Sequence, residues 1–326
     1  LVYAVTPSKG WLPEILEEAD IPAATIRMKG TGWLRTMGFL INQVRRQKID
    51  VVHTHLTRAA YIGHALGIVT RTPIVTSVHI ANNDQIYRRL ARGRNRLVAV
   101  SNFVAGMLHG NGIPKPFIET VYNGTDFIDL PRSDRNEVLA ELGIPTEKKV
   151  VGLVAKLCHD KGQMQLIHAM GEVRKAHPDA HVLFVGKVEE SFRTELEDAV
   201  RTSGFEQEMT FTGVRHDIAR LLDAMTLSTL PSVMETFGVA AIEASARGKA
   251  VVATEVGALP EVVKHKQTGL LVDLRPEAIA EAISYLLTND REREEMGRRG
   301  RDLVAEKFSL TEMVTRFEAV YRSAAR

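Results

Sequence analysis

The sequence predicts an α/β protein built as two doubly wound domains. Short β-branched runs bounded by Gly, Pro and polar residues alternate with helix-patterned stretches along the chain, as in parallel sheets made of βαβ units. The alternation pauses once, around 131–149, in the polar, proline-flanked stretch "PRSDRNEVLAELGIPTEKK", and then restarts. At 326 residues the chain is long for one compact core and comfortable for two.

In order, the opening "LVYAVTP" reads as a strand already under way, so an N-terminal piece is expected to precede it. In "TGWLRTMGFLINQVRRQK", Trp33, Leu34, Met37, Leu40, Ile41 and Val44 follow helical spacing, flanked by Arg35, Arg45, Arg46 and Lys48. Such a stripe either packs on the sheet or lies on an anionic membrane. Strands are then expected at 51–55, 73–79, 96–101 and 117–123. After the stretch at 131–149, which carries one short amphipathic helix and reads as a linker, strands follow at 149–155, 181–186, 209–213, 227–232, 249–254 and 269–273.

Composition narrows the class. No apolar run approaches the length of a membrane span. The single cysteine, Cys158, excludes an internal disulfide framework and any multi-cysteine metal site, and suits a reducing cytoplasm. The net charge of +2 hides an asymmetry: residues 1–120 hold 15 Lys and Arg against 7 Asp and Glu, or +8, which leaves −6 for the rest. A basic first half suits an anionic partner or surface. Nucleic acid is not expected, because no aromatic residues interleave the basic clusters.

Chemistry-bearing residues gather at predicted strand ends, where doubly wound sheets bind ligands. After the strand at 149–155 come Lys156 and Lys161, with a helix starting near Gly162. Two cations and the free amides of a helix N-terminus suit a diphosphate. After the strand at 227–232 comes "METFGVAAIEA". Glu235 is placed in the loop before a helix, beside the amides of Thr236, Phe237 and Gly238, where it can accept hydrogen bonds from polyol hydroxyls. Glu243 lies inside that nearly apolar helix, and a carboxylate there needs a partner: a ribose diol, or an internal Arg or Lys. No D-x-D pair and no His cluster on one helix appears; His53 and His55, two apart at a strand end, lack further evident ligands. No metal site and no cofactor are expected. G-x-G-x-x-G and P-loop fingerprints are absent as well.

"ETFGVAAIE", together with "KLCHDKG", "FTGVRHDIARLL", "LPSVMETFG" and "TEVGALPEVV" in that order, resembles the retaining glycosyltransferases of family 4. The resemblance implies the GT-B fold, two Rossmann-like domains facing a central cleft. Residues 1–148 would form the acceptor-side domain, 149–308 the nucleotide-sugar domain, and 309–326 a helix returning to the first. It also implies that a first strand, glycine-rich loop and helix precede residue 1.

By the same resemblance, Glu235 would bind donor-sugar hydroxyls and the amides around Phe237 and Gly238 would meet sugar and phosphate. Glu243 would hold the ribose, Lys156 and Lys161 the diphosphate, and Val214 the base. His79, at the end of "TSVH", would orient the reacting sugar. "VYNGTD" matches a turn at the end of the first domain. The family usually has Arg where Lys156 stands and a second glycine where Ala258 stands.

The activity implied is transfer of a sugar, metal-independent and with retention, from a nucleotide diphosphate sugar to a glycan or lipid-linked acceptor of the bacterial cell envelope. The reaction would take place in the cytoplasm or peripherally at the cytoplasmic face of the membrane. A sugar-nucleotide epimerase of the same fold and a non-catalytic nucleotide-sugar-binding protein are the alternatives.

Overall fold

The computed structural model describes residues 2–7, 11–26, 33–80 and 82–326, without the side chain of Trp11. Leu1, Thr31 and Gly32, which open two of the stretches quoted above, lie outside them. The chain divides into two compact units. The first comprises residues 1–99, 105–119 and 318–326; the second comprises 100–104 and 120–317.

The chain begins with β1 (Ala4–Thr6), α1 (Trp11–Glu18), β2 (Ala23–Thr25), α2 (Trp33–Arg46), β3 (Val52–His55) and α3 (Leu56–Thr70). It continues with β4 (Ile74–Val78), α4 (Gln85–Leu90), β5 (Arg96–Ala99), α5 (Asn102–Gly110) and β6 (Ile118–Thr120). Strands β3, β4, β5 and β6 lie side by side in that order, and the pairings of β4 with β3 and β5 are parallel. Consecutive neighbours of this kind require a crossover after each strand, which α3 and α4 supply.

Strand β1 pairs only with β2, in parallel. A cavity of about 500 Å³ lies between β1 and β3, lined by Val5, Thr6, Val52, Thr54, Leu40 and Leu66 among others. Helix α2 packs Met37, Leu40 and Val44 into a cluster with Leu66, while Trp33 and Leu34 stay exposed. Most of its apolar stripe is therefore spent on packing within the unit.

The second unit holds α6 (Arg135–Glu141), β7 (Lys149–Val154), α7 (Gln163–Ala176), β8 (Ala180–Val185), α8 (Arg193–Ser203) and β9 (Met209–Phe211). These are followed by α9 (Ile218–Ala224), β10 (Leu227–Leu230), α10 (Val239–Ala246), β11 (Val251–Thr254), α11 (Leu259–Val262) and β12 (Gly269–Val272). Helices α12 (Pro276–Thr288), α13 (Asp290–Lys307) and α14 (Leu310–Ala325) complete the chain. The last belongs to the second unit up to Phe317 and to the first from Glu318.

The six-stranded sheet has the order β12-β11-β10-β7-β8-β9 and its pairings are parallel. The chain winds outward from β7 to β9, then returns to place β10 on the other side of β7. That reversal leaves a crevice beyond the carboxyl ends of β7 and β10, the switch point of a doubly wound sheet.

The stretch read as a linker packs into the second unit. Val138 and Leu139 of α6 are fully buried. Arg247, also buried, donates to the carbonyls of Phe127 (2.8 Å), Leu130 (2.7 Å) and Pro131 (2.9 Å) and pairs with Asp223. Asp223 in turn accepts from Arg132 Nη1 and the Ser133 amide, each at 2.9 Å. Polar composition marked residues 131–149 as a linker. At its start, Pro131, Arg132 and Ser133 are held by partners 90 or more positions away.

Candidate active site

The loops after β7 and β10 meet at the switch point. Gly162, with φ +73°, is the N-cap of α7, and a Cβ there would sit 1.8 Å from the Pro231 carbonyl oxygen. Only glycine permits both that approach and that backbone conformation. The amide of Val233 donates to the Asp160 carbonyl at 3.0 Å. Across this junction Lys161 Nζ donates to Glu235 Oε1 at 2.5 Å, and Ser232 Oγ donates to the same oxygen at 3.1 Å. Lys161 and Glu235 are thus brought together. Lys156 instead pairs with Glu189 at 2.9 Å, both half-exposed. Its backbone carbonyl accepts from Gln163 Nε2 at 3.2 Å, and Gln163 Oε1 is buried without a partner.

Glu235 is also held through its backbone. Its carbonyl accepts from the Ala258 amide at 2.9 Å, and a Cβ on Gly257 would lie 2.0 Å from that oxygen. Ala258 adopts an ordinary right-handed conformation, so alanine costs nothing where the family commonly has glycine. The Thr236 carbonyl accepts from Ser101 Oγ at 2.7 Å. The Phe237 side chain is buried against Tyr122 and Phe308, so only its backbone is available to a ligand. Gly238, with φ +95°, is the N-cap of α10. The amides of Phe237, Gly238 and Val239 donate to no acceptor among the described residues.

Glu243 is the fifth residue of α10. Among the described residues it has no ion pair and no side-chain hydrogen bond. Burial, with a smaller contribution from the Asp126 charge, pushes its carboxyl up to about 7. A half-ionised carboxylate without a donor is unfinished chemistry. Val214 is exposed just past β9, where Gly213 accepts at its carbonyl from the Gly186 amide at 2.9 Å and Phe211 stacks on Phe184. These positions also lie at strand carboxyl ends.

In the first unit, His79 follows β4 and lies beside His55 at the end of β3. The contact from His55 Nδ1 to His79 Nε2 is 3.2 Å and the rings stack. Burial and the neighbouring His55 lower the His79 pKa, and burial lowers that of His55. His53 contacts Tyr321 OH at 2.7 Å and Ser77 Oγ at 2.8 Å. It is driven down to about 3, mainly by burial. Among the described residues no group of three or more His, Cys, Asp or Glu is placed to hold a metal ion.

Sequence reasoning missed several partners: Glu189, Ser232, Gln163 and Glu261. Glu261 accepts from the amides of Asn102 (2.9 Å) and Phe103 (2.7 Å) and from Tyr122 OH (2.8 Å), all within the second unit. Glu261 and Ser232 carried local signals, inside "TEVGALPEVV" and "LPSVMETFG". His55 was weighed with His53 as a metal-binding pair and set aside for want of further ligands; its place beside His79 was not foreseen.

A doubly wound sheet with cations, a carboxylate and open amides at its switch point defines a nucleotide- or phosphosugar-handling protein. Comparison with known proteins makes this specific. The model of "Glycosyl transferases group 1" matches residues 134–303 and that of "Glycosyltransferase Family 4" matches residues 2–127. The chain belongs to this family and is a glycosyltransferase.

It is 28% identical to the N-acetyl-alpha-D-glucosaminyl L-malate synthase of Bacillus anthracis, over 86% of this chain and 77% of that protein. It is 30% identical to a D-inositol 3-phosphate glycosyltransferase of Segniliparus rotundus, over 85% and 67%. In fold it is similar to Anabaena HepE in complex with UDP and glucose, with a TM-score of 0.89 at 22% identity over 98% of this chain and 91% of that one. A glycosyltransferase from Rickettsia africae gives 0.88 at 21%, over 99% and 90%. The fold is GT-B.

Proposed function

We propose that the protein transfers a sugar, with retention and without a metal ion, from a nucleoside diphosphate sugar to a glycan or lipid-linked acceptor of the cell envelope. The observation that carries the donor reading is Glu243: a partly buried carboxylate, with no ion pair or side-chain hydrogen bond among the described residues, in the helix that begins beside the Lys161–Glu235 junction. Ribose hydroxyls supply the donors it lacks. Lys161 and Lys156 then face the diphosphate, with the amides of Phe237, Gly238 and Val239 beside them. These groups stabilise the charge that develops on the departing diphosphate, the part a divalent cation plays elsewhere. Glu235 accepts from the donor sugar's hydroxyls while Lys161 is shared with phosphate oxygens, and the exposed Val214 borders the base.

His79 orients the reacting sugar. By the family's chemistry the acceptor hydroxyl attacks from the leaving-group side and passes its proton to a phosphate oxygen. A uracil base is supported by HepE, which has been seen with UDP and with UDP-glucose. The basic first half suits an anionic or lipid-linked acceptor met at the cytoplasmic face of the membrane, with no nucleic acid involved. No helix among the described residues is long and apolar enough to cross a membrane, so peripheral contact is the form we assign.

The test is release of nucleoside diphosphate from UDP-, GDP- and ADP-sugars in the presence of chelator, with Glu235→Ala and Lys161→Ala as controls. Donor-dependent release that survives chelation and collapses in both variants supports the reading. Release that needs a divalent cation, or that survives both substitutions, overturns it.

A further inference from the structure

The first unit carries a second concave, polar surface at the opposite end of its strands. His79 follows the carboxyl end of β4. Ile74 opens β4 and Asn95 precedes β5, and both line a cavity of about 280 Å³ at the strands' amino ends. Its wall carries Arg71, Arg92, Arg94 and His64 and no carboxylate.

The charge there is uncompensated. Among the described residues, the side chains of Arg71 and Arg92 make no ion pair and no hydrogen bond, and Arg94 donates only to the Ala325 carbonyl at 2.8 Å. Arginines of the second unit behave differently: Arg215, Arg220, Arg247 and Arg298 all reach carboxylates. Three like charges around one hollow repel unless an anion joins them.

The wall is also built. Asn95 Oδ1 accepts from the Ile74 amide and Asn95 Nδ2 donates to the Leu90 carbonyl, each at 2.9 Å. The Asn95 amide closes a turn onto the Arg92 carbonyl at 3.1 Å. The loop bearing Arg92 and Arg94 is therefore pinned to the strand beside it. Arg71 caps α3 in the left-handed region, with φ +61°, where glycine is the usual residue. Its charge complements the helix end, and neither its guanidinium nor that of Arg92 meets a carboxylate among the described residues. His64 completes the wall, with a buried Nδ1 that has no hydrogen-bond partner; burial and the charges of Arg92 and Arg89 lower its pKa.

We propose that this cavity binds a phosphoryl group, presented by a small soluble phosphate or by a lipid headgroup, through Arg71, Arg92 and Arg94. Guanidinium forks match phosphate oxygens. The hollow lies just below the ~300–1,000 Å³ of drug-sized ligand sites, which suits a phosphate with a small substituent. The site is separate from the donor site assigned above and does not depend on that assignment.

The test titrates inorganic phosphate calorimetrically into the wild-type protein, Lys161→Ala and the double variant Arg71→Ala/Arg92→Ala. A parallel arm measures co-sedimentation with phosphatidylcholine vesicles containing phosphatidylglycerol. Thermal unfolding establishes that the variants are folded, and Arg92→Glu serves as a second, single-site probe. The expected result is phosphate or vesicle binding that survives Lys161→Ala and weakens at least tenfold in both arginine variants. Binding in the vesicle arm identifies a lipid source, and binding of phosphate alone a soluble one. Binding lost in Lys161→Ala and retained in the arginine variants overturns the proposal, as does an absence of binding in both arms.

Discussion

Lys161 Nζ lies 2.5 Å from Glu235 Oε1, joining residues 74 positions apart through the loops that follow two neighbouring strands. The pair is mostly buried, with the two side chains 27% and 14% exposed. With no donor bound, each group satisfies the other. On the donor reading proposed above, the lysine would turn its remaining hydrogens to phosphate and the carboxylate its remaining lone pairs to hydroxyls.

Because the two act as one unit, their substitutions are expected to be non-additive. Lys161→Ala and Glu235→Ala should each lower kcat by about 10²–10³, the scale of losing one preorganised charge-stabilising group. The double variant should fall little further. Steady-state kinetics of the four proteins in a double-mutant cycle checks this, and independent, multiplying losses would contradict it.

Glu243 sets a pH dependence whose sign is fixed by its raised pKa, about 7 against an ordinary 4.5. Between those values the folded protein holds a proton that the unfolded chain has released. Stability therefore falls as pH rises from about 4.5 to about 7, by at most ~3 kcal/mol from this group. Glu243→Gln should abolish that part of the loss, so the variant's Tm advantage should grow from pH 5 to pH 8. A diol donating to the carboxylate favours its ionised form, so donor affinity of the wild type should rise over the same range and flatten in the variant. Titration calorimetry at several pH values measures it.

The buried pair of Arg247 and Asp223 supports the fold rather than the chemistry. Removing the arginine leaves the buried Asp223 with only Arg132 and the Ser133 amide and strips the carbonyls of Phe127, Leu130 and Pro131 of their donor. Arg247→Met is expected to cost about 3–5 kcal/mol, whereas Arg132→Ala, at a half-exposed side chain, should cost about 1 kcal/mol. Urea unfolding measures both, and equal effects would contradict the assignment.

His79 and His55 make a second kinetic prediction. With its pKa lowered by burial and by His55, His79 stays neutral below pH 6.5, so the acid limb of kcat/KM that it sets should lie below that value. His55→Ala removes one cause of the lowering and should move the limb upward with only a several-fold loss at pH 8. His79→Ala should lower kcat/KM by about 10². A pH profile identical in His55→Ala and wild type would contradict the coupling.

Strands from Val52 onward were legible because their β-branched runs report burial on both faces, a local property of the chain. The same holds for α2, whose 3.6-residue stripe predicts the burial of Met37, Leu40 and Val44. Strand β2 was missed: "AAT" is three residues long and half exposed, too short to show a period. The stretch 131–149 read as a linker from its polar, proline-flanked composition, but Pro131, Arg132 and Ser133 bind Asp223 and Arg247.

Local sequence was enough to mark most strands from Val52 onward and to place Lys156, Lys161, Glu235 and Glu243 at strand ends and in the helix beyond, since these depend on residues within a few positions of one another. The tertiary structure alone decided that β10 returns beside β7 and so sets Lys161 against Glu235. It also decided that Glu189 takes Lys156, that His55 meets His79, and that Glu243 meets no partner among the described residues. Each of those outcomes depends on groups brought together by strand order across tens of residues, and spacing along a chain carries no record of which distant group arrives.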